Sequence, residues 1–143
     1  MKQLLNIRIN NGRKEVFDSI RKKYVALTPE EYVRQQMILY LTSEKGYPAG
    51  LLKVETVLIL NGMTKRTDIM VYSRNSKPVM IVECKAESVQ LTQAVFDQLA
   101  CYNLRFKVPY LIATNGIQHY CCMLNSEQST YAFIREIPYY KSL

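Results

Sequence analysis

The sequence predicts an α/β protein in which a mixed β-sheet is flanked by helices in an αβββαβ core. Three observations carry that reading. A strongly capped helix comes first, two extended runs follow around an Asn-Gly pair, and a nearly continuous apolar run then precedes a second helical stretch and another strand. The 143 residues, 48% of them hydrophobic, suffice for one core and are too few for two ordinary domains, so one domain over residues 1–143 is expected. Tyrosine is plentiful while Gly and Pro are scarce, which excludes a disordered or fibrous chain.

Residues 1–27 form a basic extension, in which Arg13, Lys14, Arg21, Lys22 and Lys23 surround Val16, Phe17 and Ile20. A short strand followed by a helix is expected there. The charges read as a solvated face, with phosphate contact as the sharper alternative. Thr28-Pro29-Glu30-Glu31 then starts a helix: a threonine N-cap, proline at the first helical position and glutamate three residues after the cap. This helix should run to about Lys45, with Val33, Met37, Tyr40 and Leu41 on one face and Gly46 and Pro48 as its stop.

Residues 54–60 and 63–72 read as two strands joined by Asn61-Gly62, the dipeptide that tolerates positive φ at both centres of a type I′ turn. The two-residue loop fixes the register: Leu60 faces Met63, and counting outward sets Glu55 across from Asp68. After the turn residues Asn75-Ser76-Lys77-Pro78, residues 79–84 form an apolar run suited to a central strand, and Glu83 and Lys85 share one of its faces. A second helix is expected over 92–106 from Val95, Leu99, Tyr102 and Phe106, closed by Pro109. Residues 110–113 and 119–124 should pair through a tight turn at Asn115-Gly116, with 130–134 as an edge strand. The strand–helix–strand unit fits a right-handed parallel crossover.

Lys and Arg exceed Asp and Glu by seven, which suits a polyanionic partner and equally suits simple solubility. Residues 1–12 lack an apolar core of signal-peptide length and no run of about 18 apolar residues occurs, so a cytoplasmic protein is expected. Cys84, Cys101, Cys121 and Cys122 have no zinc-site spacing, and His119 is the single histidine. Unbridged, mostly buried thiols are expected.

The chemistry concentrates on Asp68, Glu83 and Lys85, three charged residues at the ends of neighbouring strands, where burial is costly without compensation. A divalent cation such as Mg²⁺ compensates directly, since it favours carboxylate oxygens, water and a substrate phosphate. Glu55 is a third candidate ligand, because a carboxylate opposite Asp68 is destabilising unless a cation lies between or beside the two; the alternatives are an exposed strand carboxylate or a partner of Lys53 or Arg66, and a bulge would void the register.

Thr67-Asp68, fourteen residues, then Glu83-Cys84-Lys85 resembles the PD-(D/E)xK nuclease signature. Residues 29–35, 65–69 and 96–99 extend the likeness to the N-terminal nuclease domain of type I restriction enzyme R subunits, over a core of about 28–124. The resemblance implies that Asp68 and Glu83 hold a metal ion, Mg²⁺ with Mn²⁺ able to substitute, while Lys85 contacts the attacking water or the scissile phosphate. It also places Gln98, on the helix after the ExK strand, beside the site; the alternative is a solvent-facing glutamine next to Tyr102. Glu31 resembles the acidic residue that completes the metal sphere from the first helix, although a capping contact back to Thr28 explains it as well. Glu87 and Asp97 read as surface charges. Thr67 stands where the family name has proline, and no GxxxxGK[ST] loop is present, so an ATP-driven motor is not expected.

These features point to metal-dependent hydrolysis of DNA in restriction or defence, by a stand-alone relative with homodimer formation left open. The alternatives are a catalytically silent nucleic-acid-binding module and an interaction domain using the tyrosine-rich tail Ile137-Pro138-Tyr139-Tyr140 and the Tyr120 strand.

Overall fold

Two Asn-Gly pairs set much of the strand pairing. The computed structural model describes residues 3–125, 127 and 129–143, the side chain of Tyr102 excepted. Asn61 and Gly62 take φ of 50° and 78°, and they join β4 (Leu52–Leu60) to β5 (Met63–Tyr72) with Leu60 facing Met63, as counted from the sequence. Asn11 and Gly12, at 51° and 76°, build the same kind of turn between β1 (Ile7–Asn10) and β2 (Arg13–Asp18).

The basic extension is therefore not a strand and a helix. It is a three-stranded antiparallel sheet, β1-β2-β3, completed by β3 (Lys23–Ala26). Its Asn-Gly turn is the physical reason, and strand alternation buries Val16 and Asp18 on one side of β2. A second turn with Lys22 at φ 56° leads into β3.

Helix α1 (Pro29–Glu44) begins where the cap predicts, with the Glu31 N–H donating to Thr28 Oγ1 at 3.0 Å. Gly46, at φ 74°, supplies the left-handed exit that the sequence anticipates. Val33, Met37, Ile38 and Leu41 are fully buried against Ile69, Val71, Met80, Val82 and Ile112 on one face of the large sheet. Truncating Met37 or Leu41 to alanine should cost about 2–5 kcal/mol in transfer and cavity terms.

That sheet has the order β4-β5-β6-β7-β8-β9, with β6 (Pro78–Cys84), β7 (Tyr110–Thr114), β8 (His119–Asn125) and β9 (Thr130–Ile134). Strands β6 and β7 are parallel and the other neighbours antiparallel, so the sheet is mixed. Helix α2 (Gln93–Leu104) makes the crossover, and Phe96 packs with Phe106, Met70, Ile81, Leu111 and Cys122 on the second face. The turn at Asn115-Gly116 is longer than a tight hairpin. Asn115 Oδ1 accepts from the N–H groups of Ile117 and Gln118, and four residues separate Thr114 from its partner His119.

The C-terminal tail covers the chain's own core. Ile137 is buried, the Tyr47 hydroxyl donates to Pro138 O at 2.8 Å, and Tyr140 stacks edge-on against Tyr47. The four cysteines form no disulfide; Cys101 is exposed, and burial pushes the Cys121 and Cys122 thiols up to about 12. Among the described residues no helix is long and apolar enough to cross a membrane.

Candidate active site

Strands β5 and β6 separate at the point where the charged residues begin. Their ladder runs from Tyr72↔Pro78 to Ile69↔Val82, and one further step brings Asp68 beside Glu83. There the Asp68 side chain takes over from the backbone, as the Cys84 N–H donates to Asp68 Oδ2 at 2.7 Å. Lys85 lies just past the end of β6, where its N–H donates to Thr114 O of β7 at 2.8 Å. The backbone of Asp68, Glu83 and Lys85 is thus held by three adjacent strands of the central sheet.

Glu83 is only 6% exposed and forms an ion pair with Lys65 of β5. Burial pushes its carboxyl above the ordinary glutamate range and Asp68 adds to that push, while Lys65 and Lys85 offset it in part. The two neighbouring carboxylates offer oxygens to an added cation, which would offset the cost of burial at Glu83. That is the donor chemistry a divalent cation takes, with hard oxygens offered from a rigid support.

A second cation serves the Asp68 side. Arg34, 5% exposed on α1, reaches Asp68 Oδ1 through Nη2 at 3.3 Å, and its Nη1 reaches Glu55 Oε1 at 3.3 Å and Glu31 Oε1 at 3.1 Å. The ladder pairs Val54↔Ile69 and Thr56↔Thr67 keep the counted register, but Glu55 between them turns out of it at φ 53° with its carboxylate half-exposed. The Arg34 guanidinium thus bridges Glu55 and Asp68.

Glu31 does not complete a capping box. Its carboxylate accepts from Arg21 Nη2 (2.8 Å), Arg34 Nη1 (3.1 Å) and Gln35 Nε2 (3.0 Å), while the Thr28 N–H donates to Ala26 O. Arg21 comes from the β2–β3 turn, where Asp18 Oδ2 accepts from its Nε at 2.6 Å and from Gln35 Nε2 at 3.0 Å. One continuous network so runs from the small sheet through α1 to Asp68. Among the described residues no three His, Cys, Asp or Glu side chains gather as a metal cluster, and Glu31 and Glu55 are linked to Asp68 through arginine.

Gln98 lies on an exposed position of α2, and the expectation that Tyr102 shares its face falls on a side chain outside the described residues. Asp97 is exposed and accepts from Gln93 Nε2, and Glu87 is exposed as well. Sequence reasoning passed over Arg34, Arg21, Asp18 and Lys65. For Arg34 the sequence offers only its i, i+3 spacing from Glu31, a cue to an ion pair and not to burial.

A cleft of about 610 Å³ opens over this network, lined by Val25, Ala26, Thr28, Glu31, Arg34, Glu55 and Ala86 among others. A separate recess of about 330 Å³ at Leu104, Lys107, Pro109, Leu124 and Ser129 has no acidic lining residue, whereas Glu30, Glu31 and Glu55 line the larger cleft. No curated protein matches the chain. The type I restriction enzyme R protein N terminus does match, over residues 29–138, a stretch that holds Asp68, Glu83, Lys85 and both main helices, and the chain therefore belongs to that family.

Proposed function

We propose that the chain is a divalent-metal-dependent nuclease of the PD-(D/E)xK type that hydrolyses DNA phosphodiester bonds in restriction or defence. Family membership supports a restriction-related, nuclease-like module. The observation that carries the finer reading is the placement of the Asp68 carboxylate and the buried Glu83 carboxylate at the end of the β5–β6 ladder, with Lys85 one residue past the end of β6.

In this reading Asp68 and Glu83 hold the ion, for which we assign Mg²⁺ with Mn²⁺ able to replace it. A bound ion would polarise the phosphoryl group and lower the pKa of a coordinated water. Lys85 orients the attacking water or neutralises charge developing on the phosphate, at a position fixed by its backbone bond to Thr114. Arg34 orients Asp68, and Lys65 balances Glu83. Glu31 and Glu55 belong to the arginine network in the arrangement described, and we assign Gln98 to substrate contact from α2.

Incubating supercoiled plasmid with Mg²⁺ and the protein, Asp68→Ala or Lys85→Ala tests the roles. The wild type should nick or linearise the plasmid and each variant should lose about 100-fold or more of the rate. Equal activity in all three removes these residues from the chemistry.

A second reading, a silent DNA-binding module, is favoured by one observation: Arg34 and Lys65 already supply positive charge to the two carboxylates. Salt-sensitive DNA binding with no cleavage in Mg²⁺ or Mn²⁺ is the outcome that selects it.

A further inference from the structure

Asp68 is held at both of its carboxylate oxygens. Oδ2 accepts from the Cys84 N–H at 2.7 Å, a backbone group at the end of β6, and Oδ1 accepts from Arg34 Nη2 at 3.3 Å. The first of these partners is fixed by the sheet, whereas the second is a long side chain, so the aim of Asp68 depends on what fixes Arg34. Among the described residues Arg34 Nε has no hydrogen-bond acceptor, and polar contacts therefore steer the guanidinium through its two Nη atoms. Those atoms reach Glu31, Glu55 and Asp68, with Glu30 at 3.9 Å. Glu30 and Glu55 are half-exposed and screened by water. Glu31 is buried and, at 3.1 Å, makes the shortest of these contacts, so it sets Arg34.

Glu31 is set in turn by Arg21. Its Oε1 is shared, with Arg21 Nη2 donating at 2.8 Å, closer than Arg34, while Gln35 Nε2 holds Oε2 at 3.0 Å. Arg21 Nη1 also lies 3.5 Å from Glu55. Arg21 is tied down by its Nε to Asp18 Oδ2 at 2.6 Å, in a turn whose Ile20 and Arg21 N–H groups donate to Asp18 Oδ1. Asparagine at position 18 would keep that Oδ1 acceptor for the turn, so the relay starts at Arg21. One guanidinium here spans Asp18 and Glu31, a task that needs its planar fork and that a single ammonium does not perform.

We propose that Arg21 is a positioning residue for the candidate site, acting through Glu31 and Arg34 on the carboxylate of Asp68. Its part in cleavage rests on the nuclease reading. Arg21 precedes the matched stretch 29–138, so the N-terminal sheet contributes to the site a contact that the matched stretch lacks.

Arg21→Lys tests the relay, because it keeps the charge and removes the fork. The first readout needs no metal. In EDTA, the ¹H–¹⁵N resonance of Cys84, the donor to Asp68 Oδ2, should move in Arg21→Lys and in Arg34→Lys in the same direction. Arg8→Lys is the control, since Arg8 pairs with Glu15 on the face of the small sheet opposite Asp18, and it should leave that resonance in place. The second readout is plasmid cleavage with Mg²⁺. Arg21→Lys should lower kcat about 10-fold and change KM by less than about 3-fold, as displacement of a group at the reacting centre does. Because Arg21 acts through Arg34, the double variant Arg21→Lys/Arg34→Lys should match Arg34→Lys to within about 3-fold. If Arg21→Lys gives no cooperative circular-dichroism melt, Glu31→Gln takes its place. It leaves both arginines and removes only the charge they share, and the same Cys84 shift is expected.

A Cys84 resonance that stays in place, or that moves equally in Arg8→Lys, overturns the proposal. So does a double variant slowed by the product of the two single losses, which makes the arginines independent. A wild type that leaves plasmid intact sinks the nuclease reading, and the Cys84 comparison then decides the relay by itself.

Discussion

Asp18 and Glu83 are both buried carboxylates on β-strands, yet their surroundings move them in opposite directions. Burial alone would raise Asp18, but the N–H groups of Arg21 and Ile20 and the Arg21 guanidinium hold it below the ordinary aspartate range. Burial raises Glu83 and the Lys65 ammonium only partly offsets it, with Asp68 adding to the rise. Asp18 is satisfied by its own protein, and that is the signature of a structural carboxylate. At Glu83 burial outweighs the ammonium partner, as expected of a group at a functional site.

Removing each charge at constant shape tests this contrast most sharply. Glu83→Gln should lower plasmid cleavage by about 1000-fold or more, because it removes an anionic metal ligand, yet shift stability by less than about 1 kcal/mol, because the neutral amide resembles the form that burial favours. Asp18→Asn should do the reverse. It should cost about 3 kcal/mol by breaking a buried ion pair and leaving Arg21 uncompensated. Urea denaturation and a cleavage assay on the same two proteins give both readouts. If Asp18→Asn proves as stable as the wild type, the distinction between the carboxylates collapses.

Acidity separates the pair without relying on cleavage. Asp18 has a lowered folded-state pKa, so its contribution is present above its unfolded value near 3.8 and is lost as pH falls through the folded value. Glu83 has a raised one, so its contribution is full below the unfolded value near 4.5 and disappears as pH rises through the folded value. The stability gap between wild type and Asp18→Asn should therefore narrow on acidification below about pH 4. The gap between wild type and Glu83→Gln should move against the wild type as pH rises from about 4.5 toward neutrality. Two gaps that change in the same direction with pH would contradict the opposite shifts.

The two regions were also unequally legible in the sequence. Around Glu83 the signals were local: an Asn-Gly turn fixed the β4–β5 register, and apolar continuity marked β6 as central. Around Asp18 the same turn dipeptide, Asn11-Gly12, was present, but the density of Lys and Arg hid the alternation of β2 and suggested a helix. Arg34 and Arg21 were obscure for another reason. Their partners come from β2, α1, β4 and β5, and no short-range pattern announces that a charged side chain will be buried by tertiary contacts. The left-handed turn of Glu55 was hidden likewise, since a glutamate inside a β-forming run gives no cue to positive φ.

The smallest expected effect bears on Lys65, which forms an ion pair with Glu83. An ammonium beside a carboxylate competes with any divalent ion for the same charge. At a protein-like dielectric two unit charges 4 Å apart interact by about 4 kcal/mol, and solvation of the freed groups returns most of that. Lys65→Met keeps much of the side chain's bulk and removes the competitor. Mn²⁺ affinity, read by the loss of its free-ion paramagnetic resonance signal, should rise about 3- to 10-fold in the variant, whereas the same substitution at exposed Lys53 should leave it unchanged. The opposite sign is equally informative. If Lys65→Met binds Mn²⁺ more weakly, Lys65 acts by keeping the buried Glu83 ionised rather than by occupying its charge.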